Sequence, residues 1–148
     1  MAGEAEGEVL ALTEPLSFWG GVHEATGLVS DTHHPQHGAS VAGKILVMPA
    51  GRGSSSSSSV LAELIRAGVA PAAVVLGERD PIIALGAMVA EALYGRTVPV
   101  VVANREAYAR VAGWHRAGVE ADGKLREVSV GAAAGKTRNA RGAAPGGT

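Results

Sequence analysis

The chain has 148 residues, 47% hydrophobic but only 3% aromatic, so one domain with a core of small aliphatic side chains is expected rather than a disordered protein. Thirteen Lys and Arg against 14 Asp and Glu give a net charge of −1, which leaves no basic field for a nucleic-acid backbone. There is no cysteine, which excludes disulfides, thiol catalysis and a cysteine-ligated zinc or iron–sulfur site held by this chain alone.

The acidic start MAGEAEGEV lacks a secretory pattern. No apolar run approaches the ~20 residues of a membrane span. A cytoplasmic protein with neither a membrane nor a nucleic-acid partner is therefore expected. Residues 6–12 read as a first strand. Residues 13–44 are polar, with glycine-containing turns and four histidines. Ile45–Met48 is a short, wholly apolar strand that Pro49 stops. Residues 60–67 read as a helix, with Leu61, Leu64 and Ile65 on one face, Glu63 and Arg66 pointing away, and Gly68 as the stop. Ala73–Leu76 is a second apolar strand. Asp80 and Pro81 form a helix start, an N-cap followed by proline at the first helical position. Ile82, Leu85, Val89 and Leu93 mark the apolar face of that helix, which Gly95 ends. Residues 98–103 are a third apolar strand, and Pro99 suits an edge position or a strand start. Residues 119–130 read as a hairpin turning at Asp122 and Gly123.

Short continuous runs of Val, Ile and Leu separated by helices indicate a parallel sheet covered by helices, with β structure at its rim. The fold class expected is α/β. After Val130 the chain becomes GAAAGKTRNARGAAPGGT, without periodicity or a large apolar residue. We expect a domain over residues 1–130 and a disordered tail over 131–148. Within the tail, GAAAGKT looks like a phosphate-binding loop. It has three residues between its glycines where that loop needs four, and no helix follows.

Two stretches carry candidate chemistry. The first is GRGSSSSSS, residues 51–59. It is either a Gly/Ser linker or a strand-to-helix turn able to bind an anion. A strand before it and a helix after it place it where open α/β sheets bind ligands. Gly51 and Gly53 permit tight backbone, Arg52 is a planar cation suited to a carboxylate or phosphate, and the later serines are positioned to cap the helix. The second is DTHHPQH, residues 31–37. Imidazole with carboxylate suits zinc or iron. Pro35, however, breaks any helical spacing, and adjacent histidines on an extended chain point opposite ways. The competing reading is a turn lining an interface or an active-site rim.

Four segments together, PLSFWGGV at 15–22, DTHHP at 31–35, SVAGKILVMPAGRGSSSSSSVLAELI at 40–65 and DPIIALGAMVAEALYG at 80–95, resemble the small subunit, or swivel domain, of the aconitase X family. The likeness runs from about residue 7 to residue 103. It implies a swivelling β/β/α domain of the aconitase superfamily, with the serine run as an active-site loop rather than a linker. Members of that family are dehydratases. A mostly archaeal branch acts on a phosphorylated mevalonate, and a mostly bacterial branch converts cis-3-hydroxy-L-proline to a pyrroline carboxylate. The archaeal loop resembles GKGST. Here Gly51, Arg52, Gly53, Ser54 and Ser55, with Asp31, His33, His34 and Pro35, look like the bacterial type. The resemblance implies Ser54 as the general base, with Ser55 able to share that role. It implies Arg52, Gly53, His33 and His34 as substrate-binding residues and no metal ligand on this chain. It further implies an iron–sulfur cluster on a larger, cysteine-containing subunit, without which this chain is inactive. The alternatives are a phosphomevalonate dehydratase small subunit and a non-catalytic anion-binding module.

Overall fold

The computed structural model describes residues 3–53 and 55–129. The expected disordered tail, with its GAAAGKT segment, lies outside the described residues, and so does Ser54. Strand β1 (Ala5–Ala11), β2 (Ile45–Met48), β3 (Ala73–Leu76), β4 (Val100–Val102), β5 (Arg116–Val119) and β6 (Leu125–Glu127) make one sheet in the order β4-β3-β2-β1-β5-β6. β1 to β4 are parallel, and β5 and β6 add an antiparallel rim. β1 joins the two parts, because Val9 to Ala11 pair with β2 while Ala5 to Glu8 pair with β5. The α/β class and the parallel core with rim β are thus as the sequence predicts.

Every residue of β2 and β3 is buried, the signature of a parallel sheet covered on both faces. Alternation divides them between two cores. Leu46, Met48, Val74 and Leu76 face the layer built by α2 (Ser57–Ala67), α3 (Pro81–Tyr94) and the long loop after β1. Ile45, Val47, Ala73 and Val75 face Val111 of α4 (Arg105–Ala112) and the rim strands. α4 had no counterpart among the expected elements. It is short, buries little, and is marked mainly by Asn104, whose side chain caps it by accepting from Ala107 N–H at 2.8 Å. The remaining short element, α1 (Phe18–Gly21), is one irregular turn in which Trp19 and Gly20 leave helical geometry.

The helix stops are as read. Gly68 takes a left-handed φ of 80°, its N–H bonds to the last turn of α2, and Val69 N–H reaches Leu64 O at 3.0 Å. Pro99 precedes β4, which is an edge strand. The rim hairpin begins earlier than read, at Arg116, and turns through Gly123 with φ 87°. α2 begins at Ser57, so three serines of the run belong to its first turn.

The expected core face of α3 is overturned. The face of α3 marked by Ile82, Leu85, Val89 and Leu93 is not the core face. α3 buries Ile83, Gly86, Ala87 and Ala90, while Leu85, Met88, Val89 and Leu93 stand in solvent. The reason is the contact with α2. A Cβ on Gly86 would come within 2.7 Å of the Ser58 carbonyl oxygen, so the two helices approach through small residues and turn the larger ones outward. Among the described residues no helix is long and apolar enough to cross a membrane.

Candidate active site

The loops that leave β2 and β3 meet at the carboxyl end of the sheet. Gly77 N–H donates to Met48 O and Pro49 O at 3.2 and 3.1 Å. A Cβ on Gly77 would lie 2.8 Å from Pro49 O, and one on Gly51 would collide with Asp80 Oδ2. Both glycines are therefore required for the loops to lie this close. Leu16 forms a parallel bridge with Gly51 and brings the loop after β1 to the same place.

Between these loops is a cavity of about 70 Å³ lined by Leu16, Phe18, the loop Gly51, Arg52 and Gly53, then Ser57, Asp80, Ile82 and Ile83. Its lining combines apolar Leu16, Phe18, Ile82 and Ile83 with polar or charged Arg52, Ser57 and Asp80. Gly53 has φ 100°, and a Cβ there would sit 2.5 Å from Ser17 Oγ, so this position admits only glycine without strain. Arg52 is exposed, and its Nη2 donates to Pro15 O at 3.0 Å, which anchors one edge of the guanidinium; among the described residues no other hydrogen bond of its side chain is seen. Asp80 holds the start of α3: Oδ1 accepts from Ile82 N–H and Ile83 N–H at 3.0 and 3.2 Å. Its second oxygen faces Gly51, and both residues line the cavity.

The residues marked in the sequence are thus partly assembled. Arg52 and Gly53 line the cavity. Ser55 is exposed on the loop, where its carbonyl accepts from Ser58 N–H and from Ser58 Oγ. His33 and His34 are not among the cavity's lining residues. His34 is buried, with Nδ1 accepting from Gln36 N–H at 3.0 Å; Nε2 then carries the proton and donates to Glu14 O at 3.2 Å. Nε2 thus pins the 31–37 turn to the loop after β1, while Nδ1 braces the turn internally. The His33 side chain is 96% exposed, beside Asp31. Among the described residues no group of three or more His, Asp or Glu is placed to hold a metal.

The reading of the later serines as helix caps does not hold. The N-cap position, Ser56, makes no side-chain cap bond. Ser57 instead is buried, its Oγ accepting from Trp19 N–H at 3.2 Å and lying 3.4 Å from Ser17 Oγ. It ties α2 to the irregular turn α1 at the rim of the cavity. Ser57→Ala leaves that N–H without its acceptor and is expected to cost about 1–3 kcal/mol, read as a lowered melting temperature. An unchanged melting temperature would show that the tie is not needed. Two site residues escaped the sequence: Ser57, hidden in a homopolymer, and Asp80, legible as a helix cap but not as a cavity wall.

A family model described as the aconitase X swivel domain matches residues 1–128. Over 100 residues the chain is 53% identical to a cis-3-hydroxy-L-proline dehydratase of Pseudomonas aeruginosa and 47% identical to one of Hypocrea jecorina, covering 68% of this chain in each case. It spans only 17% of the length of those two relatives. It is 48% identical over 88 residues to a phosphomevalonate dehydratase small subunit of Methanothermobacter thermautotrophicus, 60% of this chain and 67% of that one. The crystal structure of Thermococcus kodakaraensis aconitase X in its holo form superposes with a TM-score of 0.74 at 36% identity, covering 86% of this chain and 92% of that one.

Proposed function

The chain belongs to the aconitase X swivel-domain family, and from that premise we propose that it is the small subunit of a cytoplasmic hydro-lyase dehydrating cis-3-hydroxy-L-proline to a pyrroline-2-carboxylate. The observation that carries this reading is a partial site. The cavity at the carboxyl ends of β2 and β3 measures about 70 Å³, against roughly 300–1,000 Å³ for a complete small-molecule site. It takes one end of a small acid, and a larger partner chain supplies the rest. Trp19 and the outward face of α3, which leads away from the cavity, add exposed apolar surface of the kind that partners cover. The family resemblance also implies an iron–sulfur cluster. This chain has no cysteine, so such a cluster does not fit it and belongs to the partner.

Dehydration removes the proton next to the carboxylate and the hydroxyl on the neighbouring carbon. A double bond forms between those carbons, and one water is lost. In this reading Ser54 takes the proton, and Ser55 is placed by sequence to share that role. A serine hydroxyl is a poor base unless its alkoxide is stabilised. The positive N-terminal end of α2 and the Arg52 guanidinium lie on either side of Ser54 in the chain and supply that stabilisation. Arg52 also clamps the substrate carboxylate, and Gly53 lets the backbone come close to it. The choice of hydroxyproline rests on Arg52 being the one cation among the residues lining the cavity, since a phosphate dianion calls for more positive charge. A different observation favours phosphomevalonate as the second reading: the chain spans 67% of the archaeal small subunit it matches.

Co-expression with a larger, cysteine-containing chain, followed by assay on both substrates, tests this. Turnover of cis-3-hydroxy-L-proline is expected. Turnover of phosphomevalonate alone would move the assignment to the second reading, and turnover of neither would leave an anion-binding module. In the active complex, Arg52→Lys is expected to lower kcat/KM by about tenfold or more although it keeps the charge, because an ammonium cannot make the two parallel bonds of a guanidinium, worth ~1.5–3 kcal/mol for a charged hydrogen bond.

A further inference from the structure

We infer that Asp80 reads the ring ammonium of the substrate, and so selects a zwitterionic imino acid over a plain carboxylic acid. The inference rests on the hydroxyproline reading and deepens it. Of the residues lining the cavity two are charged, Arg52 and Asp80, one of each sign. Substrate carboxylate and ring nitrogen are separated by a single carbon in an α-imino acid, so both fall within one small cavity. A carboxylate beside Arg52 leaves the adjacent ammonium in need of an acceptor. Asp80 is built to offer one. Its Oδ1 is committed to the Ile82 and Ile83 N–H groups, which fixes the rotamer. Its Oδ2 has no hydrogen-bond partner among the described residues and is turned to Gly51, a position where any Cβ would collide with it. The residue is thus held by the backbone on one oxygen and turns the other to Gly51, which lines the cavity beside it. A phosphorylated hydroxy acid carries no cation and would meet this oxygen with repulsion.

The test separates the charge of Asp80 from its role at the helix start. Asparagine caps a helix as well as aspartate does, so Asp80→Asn keeps the cap and removes the charge. In the complex with the larger chain, inhibition constants are measured for L-proline, whose nitrogen is cationic, and for pyrrole-2-carboxylate, whose nitrogen is not basic. Asp80→Asn is expected to weaken L-proline at least tenfold and to change pyrrole-2-carboxylate less than twofold, with KM for cis-3-hydroxy-L-proline rising more than kcat falls. Equal weakening of both inhibitors, or of neither, would reduce Asp80 to a cap and overturn the inference. Asp80→Ser, which also caps without a charge, takes the same measurement if the asparagine variant does not fold. The unsubstituted complex is assayed first: if it does not dehydrate cis-3-hydroxy-L-proline, the proposed function falls and this inference with it, whereas turnover without the change in inhibitor preference sinks the inference alone.

Discussion

Ser54→Ala, assayed in the complex with the larger chain, is expected to lower kcat by roughly 10²–10⁴, the range for loss of a positioned base. The melting temperature of the chain is expected to stay where it is. Ser54 follows Gly53, which lines the cavity, and precedes the first turn of α2. Ser58→Ala serves as the control. Its hydroxyl donates to the Ser55 carbonyl at 2.9 Å and, among the described residues, bonds to none that lines the cavity, so its loss is expected to leave kcat within a few fold. If Ser58→Ala abolishes turnover while Ser54→Ala does not, the chemistry sits on the other end of the run. A residual rate in Ser54→Ala that vanishes in the double variant with Ser55→Ala would assign the remainder to Ser55.

Gly86→Val is expected to destabilise the chain by about 3 kcal/mol or more, at the upper end for overpacking, and to lower the melting temperature by roughly 10 °C. A Cβ at this position meets the Ser58 carbonyl oxygen at 2.7 Å, the Ser58 Cα at 3.1 Å and the Leu61 Cβ at 3.2 Å. Two of those three atoms are backbone, which moves only if α2 moves. Because α2 carries Ser57 at the cavity rim, activity in the complex is expected to fall with stability. One helical position away, Leu85 is 49% exposed. Leu85→Ala is expected to change stability by no more than ~0.5 kcal/mol, whereas a buried leucine lost to alanine costs ~2–5 kcal/mol. A larger loss for Leu85→Ala than for Gly86→Val would mean that α3 packs through the face of its larger side chains.

The contrast between those two positions shows where reading the chain succeeds and where it stops. Ile45–Met48 and Ala73–Leu76 are legible because a run of branched and aliphatic residues, short and bounded by turn residues, satisfies a buried parallel strand by itself. Asp80 before Pro81, Gly68 and Gly95 are legible as helix boundaries, since capping and left-handed backbone are properties of single residues. From these the sequence alone determines an α/β sheet and places GRGSSSSSS at the end of one of its strands. The tertiary structure decides what those elements meet. α3 buries its small residues rather than its large ones because closeness to α2 is a property of the pair. His34 becomes a pin because Glu14, twenty residues earlier, offers a carbonyl to its ring. Asp80 joins Arg52 at one cavity because β2 and β3 are neighbours in the sheet, and neighbouring parallel strands, about 4.8 Å apart, deliver the loops at their carboxyl ends to the same place. Residues that serve a cavity are chosen by which loops the sheet brings together, and no local pattern in the chain records that.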